Sequence, residues 1–297
     1  MTKGRAQLMV LAAASLWGLI GLFVNILSAR GFSSMQIVAL RAIITCICIA
    51  GFLALRDPEA LRVELRDLPY FIGTGVFSIV LFTWCYFSCI ARSSISVAVV
   101  LLYTAPIFVM LLSVIVFREK LTGKKLLALA MTFSGCMCVT GFIGGGAVHA
   151  PPAAVLLGIA SGFCFSLYSI IGKIATGKYR PETVTAYTFI FASIAVIPFI
   201  VGGWEGVSFD AVSVLALIAI SVLCCVTPFV LYTAGLANLE PERAAIISTM
   251  EPVVGTLVDA VLFHQTMTAL KPLGLVLVVG SIIVMNVSFK RPDSAGA

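Results

Sequence analysis

Charge is scarce in this chain: Asp, Glu, Lys and Arg make up only 11% of 297 residues, against about a quarter in an average soluble domain. The connections between apolar runs are mostly short, so no soluble domain is left over. There is no GxxxxGK[ST] phosphate loop. Gly172-Lys173 is followed by Ile174, and position 167 is Leu, which argues against direct ATP drive. Histidine is down to two, His149 and His264, with no HExxH pattern, so a membrane metalloprotease is disfavoured. The nine cysteines (Cys46, Cys48, Cys85, Cys89, Cys136, Cys138, Cys164, Cys224, Cys225) all fall within apolar runs, where a free thiol acts as a small apolar residue. Neither a disulfide framework nor a zinc site follows from them, and no cofactor is expected.

What the chain has instead is apolar length. Apolar residues reach 61% and mean hydropathy is +1.13, the composition of an integral membrane protein. A hydrocarbon core about 30 Å thick needs roughly 20 apolar residues per helix. Such runs predict an all-α protein with ten spans: 7–28, 35–55, 69–90, 95–117, 125–143, 154–174, 183–202, 211–236, 243–263 and 271–289. The start, MTKGR followed by an apolar run, has the look of a signal peptide; its length and the lack of a small-x-small site before Arg30 keep it as the first span. Fifteen of the 19 lysines and arginines fall on the side that holds both termini, three (Arg30, Arg92, Lys271) on the other, and Arg41 lies inside span two. Both termini are therefore expected in the cytoplasm, with Lys178 inside and His149 outside. The same loop bias accounts for the net charge of +6, so no nucleic-acid partner is implied.

The two halves repeat. With a constant offset of 146, Pro106 meets Pro252, Phe117 meets Phe263, Thr122 meets Thr268 and Lys125 meets Lys271. At the same offset Trp17 falls on Phe163, Tyr86 on Tyr232, Ala91 on Ala237 and Ala98 on Ala244. Five spans per half is an odd number, so the second copy (147–297) must lie upside down relative to the first (1–146). Inverted repeats of this kind are typical of secondary transporters, with substrate near the midplane between the halves.

Ten spans in two five-helix halves, ASLWGLIGLFVN in span one, YTAPIFVMLLSVIVFREKLTGKKLLAL in span four, and EPVV followed by LFHQTMT in span nine resemble the drug/metabolite transporter superfamily, specifically its EamA-type branch. The resemblance covers the whole chain. One departure is Gln265, where the acidic residue after span four, Glu119, has its counterpart. The resemblance implies a carrier of the cytoplasmic membrane, often an exporter of amino acids or similar small metabolites, with a central cavity. Its first, third and fourth spans carry cavity residues, which points to Trp17, Trp84, Tyr86 and Tyr103 here.

Several polar residues lie where lipid would penalise them. Glu251 is about eight residues into span nine, roughly 12 Å deep; membrane carboxylates usually face a cavity or a partner and mark substrate or proton paths. The competing role is to tie helices together at a proline-disrupted turn. Pro106 and Pro252 are expected to kink their helices and serve as paired hinges or cavity walls, with Pro228 a further kink. Asp259, eight positions beyond Glu251, is a second coupling candidate, or an interfacial residue paired with Lys271 or His264. Arg41 wants a carboxylate: Glu251, Asp259, one on the substrate, or none if it reaches the outer interface. Asn25 and Gln36 could bind substrate or join helices.

The expected function is thus alternating-access export of a small organic metabolite, with protons as a possible coupling ion and a monomer or homodimer as the assembly. A membrane-embedded enzyme acting on lipid or isoprenoid phosphates is the alternative, and would want basic residues and carboxylates clustered at one membrane face. A structural membrane protein would not require an inverted repeat with kinked helices.

Overall fold

The computed structural model describes residues 1–142, 150–262 and 269–287, and these form ten helical spans. Seven are long and apolar enough to cross a membrane: α1 (Lys3–Ser28), α2 (Ser34–Arg56), α3 (Leu65–Arg92), α4 (Ile95–Phe117), α6 (Pro152–Ala175), α8 (Ala211–Asn238) and α9 (Pro241–Leu262). The other three are shorter: α5 (Gly123–Val139), α7 (Pro181–Ala195) and α10 (Leu270–Asn286) have 17, 15 and 17 residues. The apolar run expected to continue α7 to residue 202 instead turns into a 3₁₀ segment at Ile197–Phe199. Pro198 explains this, because its ring removes an N–H and disfavours α geometry in the residue before it. His149, His264 and Gln265 lie outside the described residues.

Local signals set the helix starts. Ser33 and Gln36 form a reciprocal capping box on α2, Ser94, Thr122 and Asp210 accept hydrogen bonds from the first turns of α4, α5 and α8, and Pro152, Pro181 and Pro241 open α6, α7 and α9. Each satisfies or removes an N–H that the first turn leaves unpaired.

The interruptions obey the 146-residue repeat. α4 divides into α4a (Ile95–Leu102) and α4b (Ala105–Phe117), and α9 into α9a (Pro241–Ser248) and α9b (Met250–Leu262). The breaks at Tyr103 and Thr249 are offset mates, as are the starts at Ile95 and Pro241. A π-helical stretch in α3, Gly73–Leu81, is matched by another in α8, Val222–Val226.

α5 and α10 run antiparallel along each other. The Thr132 hydroxyl donates to Ser281 at 2.8 Å, and a Cβ built on Gly135 would stand 2.8 Å from the Val278 side chain. The offset interchanges these two pairs, Thr132–Ser281 and Gly135–Val278, so the twofold axis of the inverted repeat passes between them. Backbone meets backbone here: a Cβ on Gly274 would lie 2.6 Å from the Gly135 carbonyl oxygen. Gly274→Val is therefore expected to push the helices apart at an overpacking cost of about 1–3 kcal/mol. Thermal unfolding of detergent-purified protein checks this, and an unchanged midpoint would refute the close packing.

One face of the bundle carries both ends of the described chain and the connections near residues 57–64, 118–122, 176–180 and 239–240; it is called the terminal face below. Gln7 meets Asn286 there, and Arg180 meets Asp57. The opposite face carries the connections near 29–33, 93–94 and 196–210, where Arg30 pairs with Asp210 at 3.0 Å and Gln36 donates to the Gly203 carbonyl at 2.8 Å.

Candidate functional site

A cavity of about 230 Å³ lies between the halves. It reaches the opposite face at Ser34, the first residue of α2, and ends toward the terminal face at Ser169, Tyr232 and Ala245. Its floor is built from hydrogen bonds between α6 and α8: Ser169 to the Tyr232 hydroxyl at 2.7 Å and Tyr168 to Thr233 at 2.7 Å. Below them Lys173 donates to the carbonyls of Leu236, Ala237 and Leu239, at 2.9, 3.1 and 2.8 Å, and so caps the end of α8. Hydrogen bonds close the end toward the terminal face, and the lining extends to Ser34 toward the opposite face.

The breaks in α4 and α9 place the polar groups. Glu251 sits in the first turn of α9b, where the helix N-terminus favours negative charge, and its side chain lines the cavity. Arg41, two turns into α2, lines the same space and lies within electrostatic reach of Glu251. Neither side chain makes an ion pair or hydrogen bond among the described residues, so a basic and an acidic group face one cavity. Around them stand aromatic groups. The Trp17 ring lies 5.3 Å from Phe229 and 5.3 Å from Tyr232, and Tyr86 and Tyr103 complete the wall.

Of the residues singled out from the sequence, Trp17, Arg41, Tyr86, Tyr103, Pro106 and Glu251 meet at this cavity. Asn25 does not: α1 presents Ile20 and Val24 to it, and Asn25, one residue on, is turned about 100° away and exposed. Trp84 does not either. Phe82, Thr83, Tyr86 and Phe87 form the lining face of α3, and Trp84 points outward at 43% exposure. Asp259 stands beyond the cavity within the field of Lys271. Gln36 is used in the capping box and the bond to Gly203.

Pro106 stands on the cavity wall, and neither proline interrupts a helix from within. Pro106 and Pro252 fall in the first turns of α4b and α9b, where no intrahelical partner awaits their N–H. They start the second half-helices, and the breaks at Tyr103 and Thr249 are three residues earlier.

Phe229, Tyr232, Ser169 and Thr249 also line the cavity and were not singled out as cavity residues. The repeat held the signal for three of them, since Thr83/Phe229, Tyr86/Tyr232 and Tyr103/Thr249 are offset mates that all reach the cavity, as are Leu102/Ser248 and Ala105/Glu251.

Two inverted halves, helices broken at matching points, and an acidic and a basic group on a cavity between the halves are the features of a membrane carrier. The chain belongs to the EamA-like transporter family, which matches residues 4–141 and 152–287. It is 29% identical over 243 residues to an uncharacterized transporter of Archaeoglobus fulgidus, covering 79% of this chain and 82% of that one. It is 25% identical to a probable amino-acid metabolite efflux pump of Salmonella typhimurium, covering 65% and 68%, and 23% identical to an uncharacterized inner membrane transporter of the same organism, covering 97% of both. A crystal structure with the same fold superposes with a TM-score of 0.83 at 20% identity, over 96% of this chain and 97% of the other. The protein is a multi-pass membrane transporter, and the reading as a lipid-modifying enzyme is set aside.

Proposed function

We propose that this transporter exports a small zwitterionic metabolite, an amino acid or close relative, across the cytoplasmic membrane by alternating access. In this reading both termini are cytoplasmic and the halves 1–146 and 147–297 rock about the central cavity. The observation that carries it is the placement of Arg41 and Glu251 on one cavity with no ion pair or hydrogen bond among the described residues. A carboxylate would meet the guanidinium, an ammonium would meet Glu251, and the aromatic wall would take an apolar side chain. The printed name of the Salmonella efflux pump agrees with such a cargo. Glu251 is also the group best placed to exchange a proton with the cavity, which makes it the coupling residue in preference to Asp259.

A thermal-shift series on purified protein tests the cargo. Ligands that bind the folded state raise its stability by an amount set by concentration over Kd. Zwitterionic amino acids should raise the midpoint more than the matching amines without a carboxylate or acids without an amine. Stabilisation by nucleosides or by organic cations alone would overturn the zwitterion reading.

A further inference from the structure

The halves are tied together on the terminal face by two groups of ion pairs. In one, Lys178 contacts Glu64 at 2.7 Å and Asp67 at 2.5 Å, and Arg180 pairs with Asp57; the hydrogen bond to Asp67, then that to Glu64, holds the Lys178 ammonium above its ordinary range. In the other, Lys125 at the start of α5 lies 3.3 Å from Glu119 and 3.5 Å from Glu240, and is bonded to Glu242.

The first group has a counterpart on the opposite face. Asp210 is the offset mate of Glu64, and it pairs there with Arg30. Ties present on both faces at once, while the cavity opens to only one, cannot be what alternates. The second group has no acidic counterpart at its offset positions in the sequence. Lys125, Glu119, Glu240 and Glu242 correspond at the 146 offset to Lys271, Gln265, Ser94 and Ser96, so the lysine is kept and every carboxylate is gone.

Glu242 is 1% exposed, and its second carboxylate oxygen is buried without a hydrogen-bond partner. A buried carboxylate needs a compensating charge, and Lys125 supplies it across the boundary between the halves. Glu242 also belongs to α9a, less than a turn before Ala245 on the cavity wall.

We infer that Lys125, held by Glu119, Glu240 and Glu242, is a one-sided latch: the positioning residue that keeps the transporter closed at the terminal face and makes the opposite-open state its resting state. The inference rests on the alternating-access reading. Each transport cycle must withdraw Lys125 from Glu242 before the floor at Tyr232 and Ser169 can part, whereas the offset positions on the other face carry no carboxylate.

Hydrogen–deuterium exchange on the full-length protein in nanodiscs tests it through two segments, residues 239–248 at the latch and residues 34–41 at the open mouth. Lys125→Met should speed exchange in 239–248 and slow it in 34–41, each by at least severalfold, because opening one face closes the other. Lys125→Arg should restore the wild-type pattern. Faster exchange in 239–248 without slowing in 34–41 would mean a merely structural pair and would overturn the latch, as would no change in either. Ser96→Glu, which builds a carboxylate on the opposite face, separates the two levels of the argument. If Ser96→Glu alone moves the segments in opposite senses, alternating access stands and the Lys125 latch falls. If neither variant does so, the alternating-access reading fails with it.

Discussion

Glu251→Gln is expected to leave the protein folded and in the membrane while reducing transport about 10- to 100-fold. The folded state should tolerate the change because Glu251 makes no hydrogen bond or ion pair among the described residues, so no protein partner is orphaned. The function should not tolerate it. A charge-assisted hydrogen bond is worth about 1.5–3 kcal/mol, and each 1.4 kcal/mol is about tenfold in affinity. The amide also removes the only carboxylate among the described residues that line the cavity, so proton-coupled flux should fall with substrate binding. Flux of labelled amino acid into inverted vesicles, with and without a pH gradient, measures both. Unchanged flux at every pH would remove Glu251 from the mechanism.

Arg41→Gln should act on selectivity more than on affinity for every ligand. With the guanidinium present, a zwitterion is expected to outbind the corresponding amine by about 1.5–3 kcal/mol, the worth of one charge-assisted contact. Without it the two should bind alike. The double comparison, two proteins against two ligands, isolates the pairwise coupling. Should Arg41→Gln weaken both ligands equally, Arg41 would be shaping the cavity's field and not gripping a carboxylate. That outcome would return the cargo to an organic amine recognised by Glu251 and the aromatic wall.

The sequence carried the architecture well because membrane segments announce themselves by length and hydropathy, and because the 146 offset survives in the positions of breaks as well as in residue identities. It carried the faces of helices less well. Trp84 follows directly on the π-helical stretch Gly73–Leu81, whose wider turns rotate everything downstream relative to a 3.6-residue count. Asn25 had the right depth, but the chain bends at Gly18-Leu19 between Trp17 and the second part of α1, so depth did not fix direction. Proline in an apolar run signals a kink in a continuous helix, whereas here the chain breaks earlier, at Tyr103 and Thr249. Arg41 and Glu251 were legible one at a time from the cost of charge in lipid. That they share a cavity depends on the packing of α2 against the rest of the bundle, which no local pattern encodes.

The glycine crossing of α5 and α10 has a mechanical meaning. Thr132–Ser281 and Gly135–Val278 straddle the twofold axis that relates the halves, so the helices touch there backbone to backbone. In the proposed alternating-access cycle this contact is the fulcrum. Bulk there would bind the pivot, while side chains far from it, such as Lys125 on one rim and Ser34 on the other, work at the ends of the lever.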